Sequence, residues 1–317
     1  MPVAGVDYPG TWQEFRGWFA TEDDCVSYLA RLRWPDGFAC PVCGGREAWR
    51  TGSGLWLCTS CRRKTSVTAG TIMHRSKQPP STWLALMWFV TAQKTGVSAL
   101  GAQRSFGFGS YETAWAMLHK LRRAMVRPDR ELLDGLVEVD ETYIGARSSG
   151  RAGRGTDKMM VAIAVEIRAN PNRLGRVRLA YIPRASRDSL CGFVSYAVAK
   201  GVTVRTDGWN VYGPLTKLGY RHNAVNMSAS SDPAHIAMPG VHRVAALLKR
   251  WLAGTLHHHV SAKHLDYYLD EFTFRFNRRT SRRAGLLFHR LAQQAMNTDP
   301  HPLDALTAGA LDQDLWD

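Results

Sequence analysis

Residues 136–145 read Leu-Val-Glu-Val-Asp-Glu-Thr-Tyr-Ile-Gly, and the fold turns on how they are read. Apolar, β-branched and aromatic residues alternate with acids and a Gly closes the run, which is the pattern of a short β-strand. Acids in a sheet need a reason, because a carboxylate taken out of water must be paired, hydrogen-bonded or bound to a metal. Alternation puts Glu138, Asp140 and Thr142 on one face and Val139, Glu141 and Tyr143 on the other. A regular strand therefore cannot offer both Asp140 and Glu141 to one site. A solvent-facing edge strand with ordinary surface acids would read the same way. The balance is tipped by residues 202–210, Val-Thr-Val-Arg-Thr-Asp-Gly-Trp-Asn, a second β-rich run that delivers Asp207 into a Gly turn. Two strands that each present an Asp are what a site for hard cations requires.

The flanking sequence reads as α/β. Residues 146–158 form a Gly/Ser/Arg-rich loop holding Arg147, Arg151, Arg154 and Lys158, a composition suited to phosphate. Residues 159–167 are almost wholly apolar, hence a strand buried on both faces. Residues 177–182 predict a further strand. Residues 188–200 predict a helix with Leu190, Phe193, Val194 and Val198 inward and Cys191 packed. The strand at 202–206 follows this crossover and can run parallel to 136–144, so that the two C-terminal ends meet at a sheet crevice. After Pro239-Gly240, residues 239–253 carry Val244, Leu247, Leu248, Trp251 and Leu252 on one helical stripe. His242 and Lys249 lie two turns apart on another face, separated mainly by Ala245 and Ala246, which leaves space for a substrate. The plain alternative is a surface His and Lys on an amphipathic helix. Residues 262–278 predict a helix with Leu265, Tyr268, Leu269, Phe272 and Phe276 inward. Arg275, Asn277, Arg278 and Arg279 then head a basic run that continues through Arg282 and Arg283. The run His257-His258-His259 reads as a surface or packing feature, since consecutive residues face different ways.

The first part of the chain carries a metal motif. Cys40-Pro-Val-Cys43 and Cys58-Thr-Ser-Cys61 are separated by fourteen residues. Each Cys-x-x-Cys forms a tight knuckle, and two knuckles supply four thiolates at tetrahedral spacing for a closed structural Zn²⁺ site. Gly44-Gly45 lets the chain turn under the metal. Arg62, Arg63 and Lys64 follow the second knuckle and suit phosphate contact, with a solvated charge run as the alternative. Before the ribbon, residues 23–33 place Cys25, Tyr28, Leu29 and Leu32 at helical spacing with Thr21 or Asp23 as cap, and Cys25 reads as a packed apolar residue. After it, Trp83, Leu84, Met87, Trp88 and Thr91 form a helical stripe. A short helix capped by Ser98, a Gly turn and a helix over 111–125 ending in Lys120, Arg122 and Arg123 then resemble a helix-turn-helix. The predicted layout is a helical lead-in (1–36), zinc ribbon (37–70), helical DNA-binding domain (78–130), α/β core (135–290) and a loosely held tail (291–317).

Bulk properties narrow the partners. The chain has 317 residues, a net charge of +14 and a pI near 9.8, a surplus that favours a polyanion, nucleic acid first. No apolar run approaches the roughly 20 residues needed to span a membrane. Residues 1–8 have no signal-peptide pattern, so a cytoplasmic, nucleoid-associated protein is expected. Six cysteines in this spacing read as metal ligands rather than a disulfide framework.

The order of zinc ribbon, helix-turn-helix, acidic strand pair and basic helices resembles bacterial insertion-sequence transposases with a zinc ribbon before a DDE-type, RNase H-like core. The resemblance rests on Cys40, Cys43, Cys58 and Cys61, on Val-Asp140-Glu-Thr-Tyr-Ile-Gly and on Thr-Asp207-Gly-Trp-Asn-Val-Tyr. It continues through Leu-Lys249-Arg-Trp-Leu-Ala-Gly-Thr and the block from Tyr268 to Arg279, and covers roughly residues 20–290. It implies a multidomain α/β protein whose mixed-sheet core carries Asp140, Asp207 and His242 as its triad, with Lys249 on the same helix as His242. His242 stands where the family usually has Glu, with 34 residues between it and Asp207. Neutral imidazole is softer than carboxylate and supplies no negative charge, so His242 could ligate weakly, position water or carry a proton. The resemblance further implies two Mg²⁺ or Mn²⁺ ions, double-stranded DNA as element ends and target, and a homodimer or larger assembly for synapsis. The rival is a non-catalytic DNA-binding regulator with an inactive core. A nuclease that cuts without joining is a third reading.

Overall fold

The computed structural model describes residues 2–127, 130–145, 158–169, 173–225, 234–256, 260–281 and 283–309. In chain order its elements begin with α1 (Trp12–Trp18), α2 (Glu22–Arg33), β1 (Ala48–Arg50), β2 (Trp56–Cys58), β3 (Lys64–Thr65), α3 (Pro80–Ala92), α4 (Ala99–Phe106) and α5 (Tyr111–Ala124). There follow β4 (Leu136–Ile144), β5 (Met159–Ile167), β6 (Leu174–Ile182), α6 (Arg187–Ala197), β7 (Thr203–Thr206), β8 (Arg221–Ala224), α7 (Ala234–Ala237) and α8 (Pro239–Leu256). The last are α9 (Leu265–Asn277), α10 (Ala284–Met296) and α11 (Leu303–Ala308). Contacts divide the chain into two units, Met1–Arg127 with Thr280–Thr307, and Pro128–Arg279 with Ala308–Asp317.

The first unit is a helical assembly with a three-stranded antiparallel sheet, β1-β2-β3. Thr21 starts α2 through a reciprocal capping box with Asp24, which satisfies two otherwise unpaired N–H groups. Phe15, Tyr28, Trp88 and Phe288 form the aromatic centre, bringing α10 onto the N-terminal helices. Ser98 caps α4, Gly107 ends it in the left-handed region at φ +66, and Ser110 caps α5. These are the short helix, Gly turn and longer helix expected from the sequence. Cys25 is wholly buried, as its place on the apolar stripe implies. The segment expected to be a loose tail instead contributes most of α10's second half and α11, with Leu306 fully buried; residues 310–317 lie outside the described residues.

The second unit is built on a mixed five-stranded sheet of order β6-β5-β4-β7-β8. β4, β5 and β6 run antiparallel in sequence, while β7 and β8 run parallel to β4. This is the mixed-sheet α/β arrangement expected of an RNase H-like core. Both faces are covered. Val137, Val139, Ala162, Ala164 and Val204 pack with Phe193 and Val194 of α6. Val161, Ile163, Val165 and Val177 pack with Val244 and Leu248 of α8 and Leu269 and Phe272 of α9. β5 is therefore apolar at both parities, which explains its continuous hydrophobic run.

The outer edge of β6 is sealed by side chains from α9. Asn277 accepts from Val177 N at 2.7 Å through Oδ1 and donates to Val177 O at 3.1 Å through Nδ2. Asp266 accepts from Tyr181 N at 3.0 Å. These groups satisfy backbone donors and acceptors that an edge strand otherwise leaves open. α6 ends at Ala197, earlier than the predicted 200, because Val198 turns extended and bridges to Leu133. No helix among the described residues is long and apolar enough to cross a membrane.

Candidate metal and nucleic-acid sites

The four ribbon sulfurs converge. Cys40 and Cys61 Sγ lie 3.6 Å apart, as do Cys43 and Cys58, and all four lie within 4.8 Å of one another. Zn–S bonds of about 2.3 Å in a tetrahedron place sulfurs about 3.8 Å apart, so the spacing fits a zinc ion and is far too long for disulfides. The two knuckles have the same backbone. The residue after each second cysteine is left-handed, Gly44 at φ +73 and Arg62 at φ +58, and their N–H groups bond back to Cys40 O and Cys58 O. Gly45 has no room for a side chain: a Cβ there would meet Ser60 Oγ at 2.9 Å and Cys58 Sγ at 3.2 Å. Backbone N–H groups of Cys43 and Val42 lower the Cys40 pKa to about 6, and those of Cys61 and Ser60 lower that of Cys58. The first cysteine of each knuckle thus favours the thiolate, the form that binds metal, while the neighbouring sulfurs and burial push the Cys43 thiol up to about 12. Among the described residues this is the one cluster of three or more potential ligand atoms so closely gathered.

The strands that carry the two aspartates run side by side. β4 and β7 are joined as Leu136 with Thr203, Val137 with Val204 and Glu138 with Arg205, a constant offset of 67 positions. The pairing ends at Glu138 and Arg205; Asp140 stands two residues further along β4, and Asp207 is the residue after the end of β7. Alternation along β4 turns Asp140 to the same face as Glu138, toward α8. One oxygen of each carboxylate is held by nearby backbone: Asp140 Oδ1 accepts from Glu141 N at 2.8 Å, and Asp207 Oδ1 from Trp209 N at 2.9 Å. The turn after Asp207 depends on Gly208 at φ +79. Its N–H donates to Thr206 Oγ1, which is also 2.9 Å from His222 Nε2 of β8.

α8 brings His242 to Asp140. Its imidazole Nε2 lies 4.0 Å from Asp140 Oδ2. The helix is seated by Glu138, which is completely buried. Glu138 Oε2 accepts from Gly240 N at 2.8 Å and Val241 N at 3.1 Å, and Oε1 faces Arg205 Nη1 at 3.5 Å. Burial raises the Glu138 pKa against the opposing pull of these donors. Lys249 lies further along α8, its pKa lowered by partial burial and then by Lys158. Glu141 is on the other face of β4, bonded to Tyr212 of the 3-10 turn Asn210–Thr216.

The expected DNA-contacting residues divide. Arg62, Arg63 and Lys64 are exposed, with Arg62 over the exposed Trp49 ring at 5.6 Å. Arg123 is exposed and Lys120 half-buried. Arg122 departs from expectation: it is 2% exposed, donating to Val97 O and hydrogen-bonded to His119 Nδ1, because it lies on the packed side of α5. Arg279 donates to the Leu174 and Gly175 carbonyls of β6, and Arg278 to Phe274 O, so both guanidinium groups serve the fold locally. Arg147, Arg151 and Arg154, like His257–His259, lie outside the described residues. Sequence reading did not find Glu138, Arg205 or Tyr212. An acid at even spacing from Asp140 was the available signal for Glu138.

A four-cysteine ribbon ahead of a mixed five-stranded α/β sheet is the layout of a zinc-ribbon protein with an RNase H-like core. Family comparison makes this specific. The family model described as "Transposase zinc-ribbon domain" matches residues 20–64, and that described as "ISXO2-like transposase domain" matches residues 132–277. The chain belongs to the insertion-sequence transposases with an N-terminal zinc ribbon. It is similar to an "uncharacterized protein in transposable element ISH50" of Halobacterium salinarum, with 27% identity over 287 residues, covering 81% of this chain and 91% of the relative.

Proposed function

We propose that this protein is a DDE-type DNA transposase that binds the terminal inverted repeats of its own element and catalyses metal-dependent strand cleavage and strand transfer. The observation that supports the reading is the approach of His242 to within 4.0 Å of Asp140 on β4, the strand that pairs in parallel with β7, which leads into Asp207. Two carboxylates and an imidazole form a donor set for Mg²⁺ or Mn²⁺. The 4.0 Å gap suits an ion between Asp140 and His242, since two bonds of about 2.1 Å span up to about 4.2 Å. Divalent ions supply Lewis acidity and charge neutralisation for in-line phosphoryl transfer.

The chain's own residues hold and orient. Asp140 and Asp207 supply the negative charge, each with one oxygen fixed by backbone N–H. His242 supplies a nitrogen in place of a third carboxylate, which favours Mn²⁺ over Mg²⁺. Lys249 and Lys158 contact phosphate beside the scissile bond. Water attacks in cleavage, and the freed 3′-hydroxyl attacks target DNA in joining; in both, the P–O bond to the leaving 3′-oxygen breaks. The ribbon's Arg62, Arg63 and Lys64 and the α4–α5 helices, with Lys120 and Arg123, select the DNA. Pairing of two ends requires a dimer or larger.

The test is a cleavage and joining assay on labelled DNA carrying the element's ends, with Mg²⁺ or Mn²⁺. Metal-dependent 3′ nicks and joined products, lost in Asp207→Ala, are expected. Specific binding of the ends without cutting in either metal would put the regulator reading ahead. Nicks without joined products would mark a nuclease.

A further inference from the structure

Two residues before each member of the Asp140–Asp207–His242 group stands a member of a second group: Glu138, Arg205 and Gly240. This second group is joined internally. Glu138 and Arg205 are direct partners in the β4–β7 ladder and face each other at 3.5 Å. The other Glu138 oxygen receives the N–H groups of Gly240 and Val241, the opening turn of an 18-residue helix. A Cβ on Gly240 would come within 2.8 Å of that oxygen and 2.5 Å of Ile167 Cδ1, so the helix start sits directly on the sheet.

Core formation alone does not call for an acid here. Val165 and Ile167 adjoin the position, and an apolar side chain of similar size commonly serves such a place at least as well as a buried ion pair. What a carboxylate adds is direction. It binds helix N–H groups that no earlier helical turn can satisfy, at the positive end of the helix dipole. Glu138 and Asp140 share one face of β4, and Gly240 and His242 lie within the opening turns of α8. The Glu138 contact therefore fixes where His242 stands relative to Asp140, while Arg205 ties the same carboxylate to the strand that delivers Asp207.

We propose that Glu138, braced by Arg205, is a positioning residue that sets the separation of His242 from the two aspartates and thereby the affinity of the site for divalent metal. This rests on the reading of Asp140, Asp207 and His242 as the metal site.

The test is a double-mutant cycle on the full-length protein, read as Mn²⁺ affinity by electron paramagnetic resonance of unbound Mn²⁺, with thermal unfolding recorded alongside. Glu138→Gln keeps an acceptor oxygen but sets an amide against Arg205. It is expected to weaken Mn²⁺ binding about tenfold in the wild-type background and to change it little in the His242→Ala background, because its effect passes through His242. Equal weakening in both backgrounds, or none in the wild type, overturns the inference alone. Wild-type protein that binds no Mn²⁺, or binding that survives Asp207→Ala, overturns the metal-site reading and this inference with it. If Glu138→Gln does not fold, Glu138→Asp, with both oxygens one methylene short, is read in the same cycle against the same outcomes.

Discussion

Tyr212, fully buried, donates its phenolic hydrogen to a carboxylate oxygen of Glu141 on the face of β4 that packs against α6. Burial first, and then the charge of Glu141 with Asp140 and Asp207, raise the Tyr212 pKa well above its ordinary value, so the phenol remains a donor. Glu141 is thereby engaged away from His242. Glu141→Gln is expected to keep cleavage within several-fold of wild type, whereas Asp207→Asn abolishes it. Tyr212→Phe should cost about 1–2 kcal/mol in denaturant unfolding. Loss of cleavage in Glu141→Gln equal to that of Asp207→Asn would make Glu141 part of the reacting site.

Gly240→Ala inverts the usual helix rule. Ala exceeds Gly by about 1 kcal/mol in helix preference. Here the new methyl would meet Ile167 Cδ1 at 2.5 Å, Glu138 Oε2 at 2.8 Å and Val165 Cγ1 at 3.2 Å. The variant should be less stable by about 1–3 kcal/mol, the range for overpacked sites. A stabilised variant in thermal unfolding would show that α8 is not seated as described.

Metal removal has a thiol signature. Cys40, Cys43, Cys58 and Cys61 gather as ligands, while Cys25 and Cys191 are buried at 0% and 5% exposure. Native protein should carry one zinc by atomic absorption and show little thiol reactivity. Chelation should release the zinc and make the four ribbon thiols reactive while Cys25 and Cys191 stay protected. Four reactive thiols in metal-replete protein would argue against bound zinc.

His289 gives the first unit a pH dependence. Its Nδ1 is 2.8 Å from the Tyr28 hydroxyl. Burial first, then Arg290 and Arg31 against the opposing Asp7, lower its pKa to about 4. Folding thus favours the neutral ring. Its contribution is fully present above the unfolded value near 6.5 and declines as pH falls toward about 4, because the unfolded chain takes up a proton first. Up to about 3 kcal/mol should be lost across that window. Urea unfolding between pH 7 and 4 should show the loss, and His289→Gln should flatten the part due to this residue.

The ribbon and the strands around Asp140 and Asp207 were legible because spacing and alternation alone set them. Strand β8 was not: Arg221-His-Asn-Ala has no apolar alternation, and the segment becomes a strand by pairing with β7. The second half of the chain also misleads on helix faces. Asn277 and Arg279 read as part of a basic surface run, yet they bond the edge of β6. That role depends on a partner strand 100 residues away in sequence, which no local pattern reports. Arg122 was missed for a related reason, since the long arginine stem packs on one helix while its head reaches the Val97 carbonyl. His242 was placed on a helix face by spacing, but its approach to Asp140 depends on Glu138, whose meaning emerges only once β4 and α8 are in contact.

The offset of 67 positions between β4 and β7 gives the sheet a parity. Loss or gain of one residue inside β7 would turn Val204 toward α8 and drive the Arg205 guanidinium into the layer around Phe193 and Val194. A register error would therefore be a folding error before it was a loss of chemistry. Chain length between the two strands is under no such rule. In a lineage of such elements, insertions and deletions should accumulate in the connections and be purged from the strands. Copies that still fold would then tend to keep the β4–β7 register.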